Sequence, residues 1–332
     1  MAGRSAHRHW VSIAKWAATL VLLAVVLYKL PLGSLAARVV ALDARDVAIL
    51  LAVTLLQVVL AVIRWWRLLH GVGERVRFVS VFGDYCVGVL YNMLLPGGAG
   101  GDVVRSLRMR GRLEKPHAAW STTLVERIVG LVTLGVLASV AAIVGVDTAT
   151  GLPSHVRWAI LGVTGLFAVG LAFASLPFQL AIRFVGKRLP EVARKDIDGI
   201  VADLGGPLKK RSVRVEAFAW SAAYHASSIV FKIACAAALG APGHVRAILI
   251  GIPIIYVLSS VPITVGGHGL REGLYVGVLG ALGMPYEVAL GLDGAFILSS
   301  LLFSAIGIVF LVVDRPQATT GVGARLPPQT DT

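Results

Sequence analysis

Charge is scarce in this chain, and cysteine and acidic residues are scarcer still. Only 15% of its 332 residues are Asp, Glu, Lys or Arg, against about 25% in a soluble domain. Together with the length, this leaves room for one membrane domain and excludes a sizeable soluble enzyme domain. The two cysteines, Cys86 and Cys235, both lie in apolar runs. They offer neither a disulfide framework nor metal-ligand spacing, so no metal or cofactor is expected. Eighteen acidic residues stand against 31 basic ones, for a net charge of +13. In a soluble protein that balance would suggest nucleic acid. Here no basic patch with interleaved aromatics lies outside the apolar runs, and the cations cluster in short loops. Nucleic acid is therefore not an expected partner. No nucleophile elbow or Walker-type loop occurs, because Gly97-Gly98-Ala99-Gly100-Gly101 lacks the Gly-Lys-Ser/Thr ending.

What the chain does contain is apolar sequence. Hydrophobic residues make up 57% of it, mean hydropathy is +0.81, and several runs reach the ~20 residues that cross a bilayer. An all-α polytopic membrane protein with about eight hydrophobic segments follows. Residues 10–30, 46–63, 120–144, 156–176, 218–239 and 288–313 read as six full spans. The first is long for a signal peptide and contains Lys15 and Lys29, so a retained anchor is favoured. Arg64-Trp65-Trp66-Arg67 reads as an aromatic and basic interface anchor. Residues 1–9 form a basic tail, 10–315 a single membrane domain, and 316–332 a tail expected to be disordered. An amphipathic helix is expected over 190–204, inside the polar connection 177–214.

The remaining two hydrophobic segments, 78–95 and 247–261, each run into a break. The first break is Pro96-Gly97-Gly98-Ala99-Gly100-Gly101-Asp102-Val103-Val104-Arg105; the second is Pro262-Ile263-Thr264-Val265-Gly266-Gly267-His268-Gly269-Leu270-Arg271. Both fit Pro-x3-Gly-Gly-x3-Arg. Arg64 precedes the first proline by 32 residues and Lys232 the second by 30. This echo predicts an internal duplication, with repeat one about 46–176 and repeat two about 215–313. If both breaks are re-entrant, 22 of the 31 Arg and Lys fall on the side of the termini and five on the other. Both termini are then cytoplasmic, in a cell (plasma or inner) membrane, and the two repeats are inverted. Inverted repeats with interrupted helices point to a transporter-type site.

Irregular backbone at membrane depth has to line a protein-buried or watery cavity. A helix starting after each Gly-Gly offers free amides and the positive end of its dipole, an anion site suited to phosphate. Gly100, Gly101, Gly266 and Gly267 allow the approach, and Arg105 and Arg271 are placed to fork onto phosphate oxygens. Glu126-Arg127 lies several residues into an apolar stretch, where charges pair or face a polar cavity. The expectation is that Glu126 meets an arginine of a break and Arg127 faces the cavity or headgroups. Asn92, Asp102 and Glu272 complete the candidate binding set, with Asp84 and His268 as weaker lining candidates. Lys232 and Asp293 are further intramembrane charges. Asp293 follows Arg271 by 22 residues, close to the 21 between Arg105 and Glu126.

Asn92-x3-Pro96, Gly100-Gly101-Asp102-x2-Arg105, Glu126-Arg127 and Pro262-x3-Gly266-Gly267-x-Gly269-x-Arg271-Glu272-Gly273 resemble the transmembrane region of lysylphosphatidylglycerol synthases. They resemble equally the stand-alone flippase-like proteins built from that region. The resemblance implies movement of an anionic phospholipid or a polyprenyl-phosphate lipid between leaflets. It also implies a glycosyltransferase or lipid-modifying enzyme as partner. No stretch of the sequence fits the soluble aminoacyl-transferase domain of the two-domain synthases, so lipid synthesis is not expected. Two other readings stay open on the residues alone. One is an intramembrane enzyme acting on a lipid-linked phosphate through Glu126 and His268; the other is a non-transporting partner of a glycosyltransferase.

Overall fold

A computed structural model describes residues 43–94, 100–144, 158, 162, 191–259 and 270–313. The expected span 10–30, all of 156–176 except Trp158 and Gly162, both tails, and Gly97, Gly98, Gly266, Gly267 and His268 lie outside the described residues. Among those that are described, nine α-helices and no strands are found. They are α1 (Ala44–Gly71), α2 (Phe78–Leu94), α3 (Gly100–Arg110), α4 (Ala118–Val144), α5 (Glu191–Gly205), α6 (Arg211–Ala238), α7 (Val245–Ser259), α8 (Leu270–Leu274) and α9 (Tyr286–Val313). A π-helical turn, Tyr275–Leu279, continues α8.

Among the described residues, four stretches are long and apolar enough to cross a membrane: Ala44–Gly71, Ala118–Val140, Pro242–Ser259 and Tyr286–Val313. Their outer faces carry Leu51, Leu55, Val140, Leu249, Leu302 and Val309, all exposed, as a surface in contact with lipid requires. The chain is a multi-pass membrane protein. Two details differ from the sequence expectation. Pro242–Ser259 is by itself long enough to span, where the sequence suggested one leg of a re-entrant segment. Helix α6, expected to hold a span over 218–239, is 28 residues long but is not among the four. The reason is its polar side: Ser221, His225, Ser227, Ser228 and Lys232 are all buried along it.

Packing follows a crossed pattern. Helix α1 lies along α6, α2 along α9, α7 along α4, and α3 folds back onto α2. Small residues set the closest approaches, as is usual where lipid supplies no hydrophobic drive between helices. At Gly307 of α9, the Cβ of any larger residue would sit 2.5 Å from the Cys86 carbonyl oxygen of α2. Among the described residues, two large apolar cores result, beside two smaller clusters. One gathers Val62, Trp65, Leu69, Cys86, Met109, Val129 and Phe303; the other gathers Ile248, Ile252, Ile255, Tyr275, Leu279 and Leu292. Gly73, Gly240 and Gly283 adopt positive φ (95°, 77° and 83°) just beyond α1, α6 and the α8 segment, the left-handed conformation with which helices commonly end. The expected amphipathic helix is α5. It is tied on by Asp203, which accepts from Ser121 Oγ at 2.6 Å, and by Asp196, 2.9 Å from Arg110.

Candidate functional site

Helix α3 begins at Gly100, so the first Gly-Gly is the start of the helix rather than the loop before it. The Gly101 amide is not free. It donates to Asn92 Oδ1 of α2 at 2.8 Å, which satisfies one of the unpaired donors of the new helix. Asp102 occupies the first turn, where its charge complements the helix dipole. The positive end of α3 is therefore already met by two side chains of the protein, a difference from the open anion cradle expected.

An ion-pair network centred on Glu126 forms the core of the candidate site. Glu126 Oε1 accepts from Arg64 Nη2 at 2.5 Å and Nε at 3.2 Å, and Oε2 accepts from Arg105 Nη2 at 2.7 Å. Arg105 Nε also donates to Asp102 Oδ1 at 2.9 Å, and Asp102 Oδ2 in turn accepts from Arg127 Nε. Three guanidinium groups thus share two carboxylates. Arg105 and Glu126 are 3% and 2% exposed, whereas the Arg127 side chain is 47% exposed. The network runs from the protein interior to its surface. The contact expected between Glu126 and an arginine of a break is present, and Glu126 and Arg127 serve different partners, as neighbours about 100° apart on a helix must.

Aromatic faces and hydroxyls complete the lining. The Arg105 guanidinium lies 4.4 Å from the Trp65 ring and 5.0 Å from that of Tyr85; the Arg64 guanidinium lies 5.1 Å from the Tyr224 ring. Arg64 Nη1 donates to Ser221 Oγ of α6 at 3.3 Å. Arg105 Nη1 is buried with no hydrogen-bond partner among the described residues. Buried cations without full pairing are costly, and at membrane depth they are rare.

Arg64 and Trp65 correct the sequence reading. The sequence pattern places both in an interface anchor, yet both are buried, and only Arg67 of that tetrad is exposed. Arg67 pairs with Glu216. Trp220 Nε1 donates to the same carboxylate oxygen at 3.4 Å. The one sequence signal for Arg64 was its spacing to Pro96, matched by Lys232 and Pro262. Asp84, a weaker lining candidate, is fully buried and accepts from Arg108 Nε at 2.7 Å.

The second break delivers a separate cluster. Arg271 Nε lies 2.5 Å from Asp293 Oδ1, its guanidinium 4.5 Å from the Phe296 ring, and its Nη2 has no partner among the described residues. Lys232 Nζ donates to the Leu292 carbonyl at 2.7 Å. Glu272 is half-buried beside Arg271. Sequence reading paired neither Lys232 nor Asp293 with a named partner; nearly equal spacing in the two halves was the available clue.

Comparison with curated proteins and with solved structures gives no match. Residues 12–312 match the lysylphosphatidylglycerol synthase TM region, and the chain belongs to that family.

Proposed function

We propose that this protein moves a phosphate-bearing lipid headgroup between leaflets while the lipid tail stays in the bilayer. The observation that carries the reading is the Glu126 network, in which three arginines share two carboxylates and Arg105 keeps a buried, unpartnered Nη1. A phosphate entering a low-dielectric cavity needs compensating cations, and guanidinium forks match its oxygens. Membership of a family of lipid-handling membrane domains points the same way. Arg105, Arg127, Asp102, Glu126, Asn92, Gly100 and Gly101 form the headgroup site in this reading, with Arg271, Glu272, Gly266 and Gly267 at the second break.

The same reading takes the fold as an inverted repeat with both termini cytoplasmic and the breaks re-entrant. Support comes from matched elements. Helices α1 and α6 are both 28 residues long, and Arg64 and Lys232 are their 21st and 22nd residues. Helices α4 and α9 have 27 and 28 residues, with Glu126 ninth and Asp293 eighth. The packing of α2 on α9 and of α7 on α4 is what exchange of two repeats produces.

The test is leaflet exchange of labelled phosphatidylglycerol and of a labelled polyprenyl phosphate in proteoliposomes. The wild-type chain should speed exchange of at least one of them. Arg105→Gln should remove most of the gain, Arg105→Lys should recover part, and the surface control Arg211→Gln should behave as wild type. Exchange no faster than in empty vesicles for both lipids defeats the reading.

A further inference from the structure

The cluster at the second break repeats the design of the first on matched elements. Arg64, Arg105 and Glu126 are separated by 41 and 21 residues; Lys232, Arg271 and Asp293 by 39 and 22. In both, the arginine beyond the break binds a carboxylate on the long helix that follows: Arg105 to Glu126 at 2.7 Å, Arg271 to Asp293 at 2.5 Å. In both, that arginine lies against an aromatic face and keeps one buried nitrogen unpartnered among the described residues. The cation from the preceding helix differs. Arg64 binds Glu126 directly, whereas Lys232 reaches past Asp293 to the Leu292 carbonyl. Its ammonium is fully buried and lies 5.1–5.4 Å from the rings of Phe231, Tyr275 and Phe296. One hydrogen bond and three ring faces leave an ammonium with donor capacity to spare.

We propose that Lys232, Arg271 and Asp293 form a second binding station for the same phosphate group, so that the headgroup crosses in two hops. The proposal rests on the lipid-translocation reading and deepens it. Arg271 binds the one carboxylate and Lys232 a backbone carbonyl, so two cations stand there against a single counter-charge and an incoming phosphate oxygen finds donors not committed to a partner. The two stations sit at different depths along α6. Ser221, which touches Arg64, and Lys232 are eleven residues apart on that helix, about 16 Å at 1.5 Å per residue and roughly half a hydrocarbon core. Between them Ser228 Oγ lies 2.9 Å from Tyr256 Oη, a polar contact on the route.

Photo-crosslinking separates the stations. A crosslinking phenylalanine analogue is placed at Tyr85, beside Arg105, or at Phe296, beside Arg271 and Lys232. The full chain sits in phosphatidylcholine vesicles carrying phosphatidylglycerol, a polyprenyl phosphate or, as phosphate-free control, diacylglycerol. Both positions should capture a phosphate lipid in preference to diacylglycerol, and the lipid captured identifies which phosphate class is used. Arg271→Gln should cut capture at position 296 about ten- to hundred-fold, and Lys232→Met should also lower it. Capture at position 85 should persist in both variants, which also shows that they fold. Arg271→Lys should retain part of the signal at 296. Capture at 296 that ignores Arg271→Gln, or that shows no preference for phosphate while position 85 does, overturns the second station alone. Loss of phosphate preference at 85 with capture intact at 296 overturns the first site instead.

Discussion

Gly88 and Gly101 meet backbone against backbone where α3 folds back onto α2. A Cβ built on Gly101 would lie 1.8 Å from the Gly88 carbonyl oxygen and 2.6 Å from Asn92 Cγ. Neither atom can swing aside: one is helix backbone, and the other belongs to the side chain that caps the Gly101 amide. Gly101→Ala should therefore lower stability by about 1–3 kcal/mol, the usual cost of overpacking, and Gly101→Val by more. Gly111→Ala, whose Cβ would have its nearest neighbour at 3.9 Å, serves as control. Thermal unfolding in one detergent decides it; an unchanged midpoint for Gly101→Val would show that α3 does not depend on this contact.

A second packing contrast separates backbone from side-chain obstruction. At Gly83 a Cβ would strike the Phe310 ring at 2.3 Å, while at Gly307 it would strike the Cys86 carbonyl oxygen at 2.5 Å. A ring can rotate away, whereas the α2 backbone moves only with the helix. Gly307→Ala should therefore destabilise more than Gly83→Ala, despite the slightly longer clash distance. The reverse order in thermal unfolding would mean that the α2–α9 contact yields more easily than the Phe310 ring.

The sequence announced the membrane class and the Glu126 pairing because each has a local signature: apolar runs in the one case, a charge inside an apolar stretch in the other. It misread Arg64. Next to Trp65, Trp66 and Arg67, a cation at the end of a span has the signature of an interface anchor, and burial against α4 and α6 is a tertiary event no local pattern records. The same holds for Asn92, whose capping of Gly101 depends on how α3 folds back. Lys232 shows the opposite case: its spacing to Pro262 was legible, but the Leu292 carbonyl it binds lies 60 residues away.

Helix α6 carries a topological prediction. At 28 residues it is about 42 Å long, more than the ~30 Å hydrocarbon core, although its buried polar side keeps its hydropathy down. Lys210 and Gly243, just before and beyond it, are both exposed. In a Cys86→Ser, Cys235→Ser background, Lys210→Cys should label with an impermeant maleimide from the cytoplasmic side and Gly243→Cys from the opposite side. Labelling of both from one side would remove α6 from the spans and the inverted repeat with it.

The two carboxylates that share Arg105 should respond differently to loss of charge. Glu126 is 2% exposed and receives both Arg64 and Arg105. Glu126→Gln leaves two buried guanidinium groups short of a counter-charge, and breaking a buried pair in this way costs about 3–5 kcal/mol. Its principal effect should be lower thermal stability. Asp102 lies nearer the surface, bridging Arg105 and the half-exposed Arg127. Its carboxylate occupies the position of an anion between two guanidinium groups, so a phosphate lipid has to compete with it. Asp102→Asn should cost less stability than Glu126→Gln. It should also tighten phosphate-lipid binding by about ten-fold, at ~1.4 kcal/mol per decade. Tighter binding in one state slows departure, so leaflet exchange should fall even as affinity rises. Affinity and exchange measured on the same proteoliposomes test this. Weaker binding in Asp102→Asn than in wild type would mean that Asp102 holds the arginines in place for the lipid rather than competing with it.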